Sequence, residues 1–149
     1  MADIAFYHLM RMPLDQALPK LLDRVLSTGG RALLLAGSEE RVAALDAALW
    51  VSQDPDWLPH GTKASGHAAM QPIWLTTEDE PAPNGARFLV LVDGAESRRL
   101  AEYDRVLDLF DGQDPEAVAA ARRRWSAAKA AGHGLSYWQQ GDRGWEKKA

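Results

Sequence analysis

The sequence predicts an α/β fold with a mostly parallel central sheet flanked by helices, and three observations carry that prediction. Two apolar runs, residues 31–36 (Arg-Ala-Leu-Leu-Leu-Ala) and 88–92 (Phe-Leu-Val-Leu-Val), are continuous rather than alternating, as expected of strands covered on both faces. Segments of helical period fall between the candidate strands. The links between these segments are mostly short, which suits strand–helix–strand units.

The elements follow in order. Residues 4–9 (Ile-Ala-Phe-Tyr-His-Leu) are short, apolar and aromatic, a first strand. Pro13 can occupy the first turn of a helix in which Leu14, Leu18, Leu21, Leu22, Val25 and Leu26 recur at helical spacing, with Gly29-Gly30 as its end. Pro19 removes a backbone donor from that run, so a late start or a kink is expected near it. Residues 31–36 make the second strand. Ser38 then caps a helix with Glu39 and Glu40 in its first turn, running to about Trp50. Residues 51–71, rich in Pro, Gly, His, Ser and Asp, read as one long loop. Residues 73–76 form a short strand, 78–85 an acidic loop, and 88–92 the clearest buried strand. Residues 100–110 are ambiguous between helix and strand. Asp114-Pro115-Glu116 supplies a cap, a first helical position and an acidic first turn, launching an alanine-rich helix to about Ala131 with Gly132 as its stop.

Composition sets the bounds. With 149 residues, 46% hydrophobic and 26% charged, the chain suits one domain with a real core. There is no cysteine, which excludes a disulfide scaffold, a thiolate metal site and a cysteine nucleophile. The first residues lack the basic-then-apolar pattern of a signal peptide, and no apolar stretch approaches the ~20 residues needed to span a bilayer. The expectation is a soluble cytoplasmic protein with no membrane partner, a domain over residues 1–140 and a short, flexible basic tail over 141–149.

Charge is segregated. From Arg122 onward there are seven Lys/Arg against Asp142 and Glu146, whereas residues 1–121 carry ten Lys/Arg against nineteen Asp/Glu. A basic end on an acidic body suits capture of a negatively charged partner.

Other chemistries find little support. The turns at 35–40 and 92–97 match neither a dinucleotide nor a P-loop fingerprint, and their carboxylates would repel phosphate, so no nucleotide site is expected. His8, His60, His67 and His133 show no metal-ligand spacing. The serines include no G-x-S-x-G elbow. No cofactor and no catalytic residue is assigned.

The segment Ala-Arg-Arg-Arg-Trp-Ser-Ala-Ala-Lys (121–129) is better defined. At 3.6 residues per turn Arg122, Trp125, Ser126 and Lys129 share a face, flanked by Arg123 and Arg124. An aromatic plate then lies among cations, with Arg122 able to bind a carboxylate or phosphate in bidentate fashion. Tyr137 of Gly-Leu-Ser-Tyr-Trp (134–138) follows as a further wall. Single-stranded nucleic acid uses the same ingredients, as does an acidic peptide. The acidic body disfavours broad nucleic-acid binding, which gives the peptide the lead.

These residues carry a resemblance. The opening Ile-Ala-Phe-Tyr-His-Leu, the segment Leu45-Asp46-Ala47-Ala48-Leu49-Trp50 followed by Trp57-Leu58-Pro59-His60-Gly61, and the ending Ala121-Arg122-Arg123-Arg124-Trp125 … Ala131-Gly132-His133 are similar to the chi subunit of bacterial DNA polymerase III holoenzyme. The resemblance implies a Rossmann-like domain without a nucleotide, acting as a non-catalytic clamp-loader accessory. It further implies a link between the replicase and single-stranded DNA-binding protein through the latter's acidic, phenylalanine-ending tail. Under it, Arg122 would hold a carboxylate, and Trp125 and Trp50 would pack the phenylalanine. Tyr137 would be a wall, and Arg124 and Lys129 would attract the aspartates. Trp57 would belong to a separate surface for the psi subunit or another clamp-loader subunit. Contact with nucleic acid would be mostly indirect, with a direct single-stranded DNA-binding module as the alternative. Two positions depart from the family pattern: Ser126 and Val118 stand where basic residues are common, which points to weaker tail binding.

Overall fold

The computed structural model describes residues 2–10, 12–51, 58–141 and 144–149. Its elements are β1 (Asp3–Leu9), α1 (Leu14–Ser27), β2 (Ala32–Leu35), α2 (Glu39–Trp50), β3 (Gly61–Thr62), β4 (Ile73–Thr76), β5 (Phe88–Val92), β6 (Arg105–Asp111), α3 (Pro115–Ala130), β7 (Gly134–Gly141) and β8 (Gly144–Lys147). The strands form one sheet in the order β3-β4-β2-β5-β6-β1-β7-β8. Every neighbouring pair is parallel except β7 with β8. The predicted α/β class is the observed one.

Two core layers sandwich the sheet. On one face Leu18, Leu21, Leu22 and Val25 of α1 and Val42, Leu45 and Leu49 of α2 pack on Leu34, Val90 and Leu107. On the other, Ala121, Trp125 and Ala128 of α3 pack on Phe6, Val106 and Phe110. The crossover from β1 through α1 to β2 therefore runs over one face, and that from β6 through α3 to β7 over the other.

Several sequence expectations hold in detail. Ser38 accepts a hydrogen bond from the Arg41 backbone N–H at 3.1 Å, and Asp114 accepts from that of Glu116 at 3.0 Å, so both helices start at a side-chain cap. Gly132, with φ of +85°, ends α3 in the left-handed conformation glycine tolerates best.

The differences have physical reasons. α1 is a single helix through Pro19. A proline inside a helix costs ~3 kcal/mol, but burying each of Leu18, Leu21, Leu22 and Val25 gains about 1.5–3 kcal/mol, and the Pro19 ring is itself buried. The 51–71 loop contains β3 and a 3-10 turn at Ala68–Met70, held at the sheet edge. The ambiguous stretch 100–110 splits into a 3-10 turn, Leu100–Glu102, and β6. The basic end is a strand: β8 folds back on β7, and Lys148 N–H donates to the Tyr137 carbonyl at 2.7 Å beyond it.

Candidate peptide-binding site on the third helix

α3 approaches the sheet closely because the residues beneath it are small: Ala121 and Ala128 are 2% and 6% exposed. Trp125, between them in sequence, therefore wedges at the flank of the helix. Its indole meets the Phe6 ring edge-on at 5.4 Å and the Tyr137 ring at 6.0 Å. Tyr137 reaches this spot because period-2 alternation along β7 turns it toward the α3 face and Trp138 toward the other. Phe110 of β6 closes the group, 6.1 Å from Tyr137. The rings favour tilted, edge-to-face geometry, which adds to simple apolar burial.

Above this aromatic floor lies an open hollow of about 450 Å³, lined by Phe110, Val118, Arg122, Trp125, Ser126 and Tyr137, with Ala121 and Ala149 completing it. Arg122 is exposed at the rim. Burial pushes the Tyr137 phenol up, and the nearby Arg122 charge pulls it part of the way back. A guanidinium thus stands over an aromatic pocket, an arrangement suited to a carboxylate attached to an apolar side chain.

Behind the hollow Tyr137 is pinned by His8, whose Nδ1 forms a short hydrogen bond with the phenol oxygen. The His8 ring lies against Gly112, where any Cβ would overlap it. His8 Nε2 is buried with no hydrogen-bond partner among the described residues.

The remaining expected site residues are placed differently. Arg124 turns away from the hollow. Its Nε and Nη2 donate to Asp108 Oδ2 and Oδ1 at 2.7 and 2.9 Å, and its side chain is 10% exposed. It is occupied and buried, so it is not a free cation for a ligand. Burial pushes the Asp108 carboxyl up, opposed by the Arg124 hydrogen bonds and charge, with Glu96 adding to the rise. Lys129 is exposed one turn beyond Trp125 and does not line the hollow. Trp50 does not join the group either: α2 packs on the opposite face of the sheet, at the β3–β4 edge, where the Trp50 ring lies tilted against His60 with centroids 4.8 Å apart. Its helix faces the wrong way for a pocket shared with Trp125. Trp57 lies outside the described residues.

His8, Phe6, Phe110 and Gly112 were not singled out as site residues from sequence. Nothing in the local pattern marks them, because Phe6, His8 and Phe110 come to Trp125 or Tyr137 through the β1–β6 and β1–β7 pairings, and Gly112 acts only through His8.

Two other surfaces bear on function. Trp50 at the end of α2 is 61% exposed and Val51 after it 76%, and Met70 in the turn before β4 is 73% exposed. At the carboxyl ends of β1 and β6, where doubly wound folds hold ligands, a hollow of about 310 Å³ carries Asp93 and Asp111, with Arg41 paired to Asp93. That lining disfavours phosphate. Among the described residues no group of three or more His, Cys, Asp or Glu could hold a metal ion, and no helix is long and apolar enough to cross a membrane.

Residues 1–136 match the sequence model of the family described as "DNA polymerase III chi subunit, HolC". The chain belongs to the DNA polymerase III chi subunit family. A relative from Rickettsia prowazekii (strain Madrid E), described as "Probable DNA polymerase III subunit chi", is 23% identical over 110 residues. That alignment spans 74% of this chain and 66%, just under two thirds, of the relative. The family match takes in α3 with Arg122 and Trp125 and ends inside β7, one residue before Tyr137.

Proposed function

We propose that this chi-family chain is a non-catalytic accessory subunit of DNA polymerase III in the cytoplasm. In this reading it links the clamp loader to single-stranded DNA-binding protein by gripping that protein's acidic C-terminal tail. The observation that supports it is the hollow beside α3, where exposed Arg122 stands over the Trp125–Tyr137–Phe110 floor. A terminal phenylalanine would enter the hollow, and its carboxylate would meet Arg122. Lys129 and Arg123, both exposed on α3, would add attraction for the aspartates. With Arg124 consumed by Asp108, and Ser126 and Val118 supplying no charge, Arg122 carries most of the ionic contact.

A second contact, with the psi subunit or another clamp-loader subunit, belongs in this reading to the surface around β3. Trp50 and Val51 are exposed there, and Trp57 follows in sequence. A fluorescent acidic peptide ending in phenylalanine, titrated at low and moderate salt against wild type and Arg122→Ala, tests the tail reading. Salt-sensitive binding lost in the variant supports it. Absence of binding, or binding indifferent to Arg122, removes it.

A further inference from the structure

A second cation–aromatic surface lies on the opposite face of the sheet. α1 covers β6 and its neighbours on that face, but β7 and β8 extend past the helix and leave their α1-side face only partly covered, with Trp138 and Trp145 half-buried against the same core. Tyr7, Trp138 and Trp145 meet there: the Tyr7 and Trp138 rings are nearly parallel, 14° apart in plane with centroids at 6.4 Å. Trp145 stands edge-on to Tyr7 at 4.9 Å. They border a hollow of about 270 Å³ whose other walls include Arg24 of α1 and Arg105 of β6. Both guanidiniums are near enough to Tyr7 for their charges to oppose the rise that burial imposes on its phenol. Lys147 is registered directly opposite Trp138 across the β7–β8 pair, so its side chain leaves the sheet on this same face.

Arg24, Arg105 and Lys147 are all exposed, and none is joined to a carboxylate of another described residue. Asp3 is registered beside Arg105 and makes no ion pair with it among the described residues, and Glu146 of β8 is paired with Lys148. The Trp138 indole N–H already donates to Ser136 Oγ at 3.0 Å. Its edge is satisfied, so it offers a ligand its π-face, a contact that suits stacking and carries no base-specific hydrogen bond.

We propose that this face binds single-stranded nucleic acid, with bases stacked on Trp138 and Trp145 and the phosphate backbone held by Arg24, Arg105 and Lys147. An open sheet face bearing rings, with cations around its margin, is the arrangement by which single strands are bound without sequence preference. An acidic peptide fits less well, because this surface lacks the enclosed aromatic pocket under a single guanidinium that α3 provides. The chain's net charge of −4 weakens the contact, and the release of counterions from the bound phosphates makes it salt-dependent. The site is independent of the α3 hollow. Most of its β7–β8 residues lie beyond the family match, which ends at residue 136.

The test is fluorescence anisotropy of a labelled oligo-dT of about 16 nucleotides with the full chain at low salt. Duplex DNA and the acidic peptide are run in parallel. Wild type is expected to bind the single strand in preference to the duplex, with a log K against log salt slope near about −2 for three phosphate contacts. Arg24→Ala with Arg105→Ala is expected to weaken binding about tenfold or more. Both side chains are exposed, so the fold is retained, as circular dichroism will verify. Arg122→Ala should leave oligonucleotide binding unchanged while weakening peptide binding by about tenfold or more. No binding of oligo-dT at low salt, equal binding of duplex, equal loss in Arg122→Ala, or peptide binding that depends on Arg24 and Arg105 would each overturn the proposal.

Discussion

Arg124 of α3 and Asp108 of β6 form a two-point ion pair at 2.7 and 2.9 Å, with side chains only 10% and 3% exposed. The pair fastens the helix that carries Arg122 and Trp125 to the middle of the sheet. Arg122 and Trp125 sit two positions before and one after that anchor, so their placement depends on it.

Removing one member of a buried pair strands the other. Arg124→Ala leaves the Asp108 carboxyl buried without its guanidinium, and should cost about 3–5 kcal/mol. Urea denaturation will read it as a lower midpoint with little change in slope. Replacing both residues by apolar side chains of similar size should recover much of the loss, because the desolvation of both charges is then relieved.

The pair also sets a pH dependence. Burial holds the Asp108 carboxyl above its ordinary 3.8 despite Arg124. The folded state therefore keeps this proton to higher pH than the unfolded state does. The stability it contributes is full below 3.8 and declines as pH rises toward the folded value. Asp108→Asn should flatten that part of the stability profile, measured by denaturation across a pH series; an unchanged profile would refute the assignment.

How far the sequence reaches is clear from these residues. Asp114 and Ser38 declare their helices because caps and first-turn charges act locally. Phe88–Val92 declares its strand because burial on both faces leaves an unbroken apolar run. Arg122 and Trp125 are legible as neighbours because helical spacing is fixed. Arg124 is not legible as an anchor: its partner is sixteen positions away on a strand whose type the sequence leaves open. Trp50 misleads for a related reason. It has the right chemistry for the hollow beside α3, but only the crossover of the chain decides that α2 lies on the opposite face from α3. β7 and β8 escape notice because their mixed polar and aromatic pattern reflects faces left partly open.

Trp50→Ala separates the two surfaces. With the residue 61% exposed, truncation should change stability little, within about 0.5 kcal/mol. Binding of the acidic peptide should be unaffected, because Trp50 does not touch the α3 hollow. A loss of peptide affinity comparable to that in Arg122→Ala would show that the two surfaces communicate.

Arg122→Ala should weaken peptide binding by ~10-fold or more, since a charge-assisted contact is worth about 1.5–3 kcal/mol and each 1.4 kcal/mol is tenfold. The melting temperature should hardly move, because the side chain is exposed. Arg122→Lys should recover only part of the affinity, since an ammonium cannot make the planar two-point contact.

The strongest test of the hollow's shape lies behind it. Tyr137 is held by His8, and His8 rests on Gly112, whose backbone N–H donates to the Leu9 carbonyl at 2.7 Å. A methyl at Gly112 would overlap the His8 ring and approach that carbonyl within 2.6 Å. Gly112→Ala must therefore displace the imidazole, and Tyr137 with it. Overpacking of this kind costs ~1–3 kcal/mol, and peptide affinity should fall although no residue of the hollow is changed. Tyr137→Phe is the contrasting variant: it keeps the ring but removes the hydroxyl, leaving His8 Nδ1 without that partner. It should lose stability by about 1–3 kcal/mol for the unpaired group while peptide affinity stays near wild type. If Tyr137→Phe weakens the peptide as much as Gly112→Ala does, the phenol oxygen itself contacts the ligand, and the ring is more than a wall.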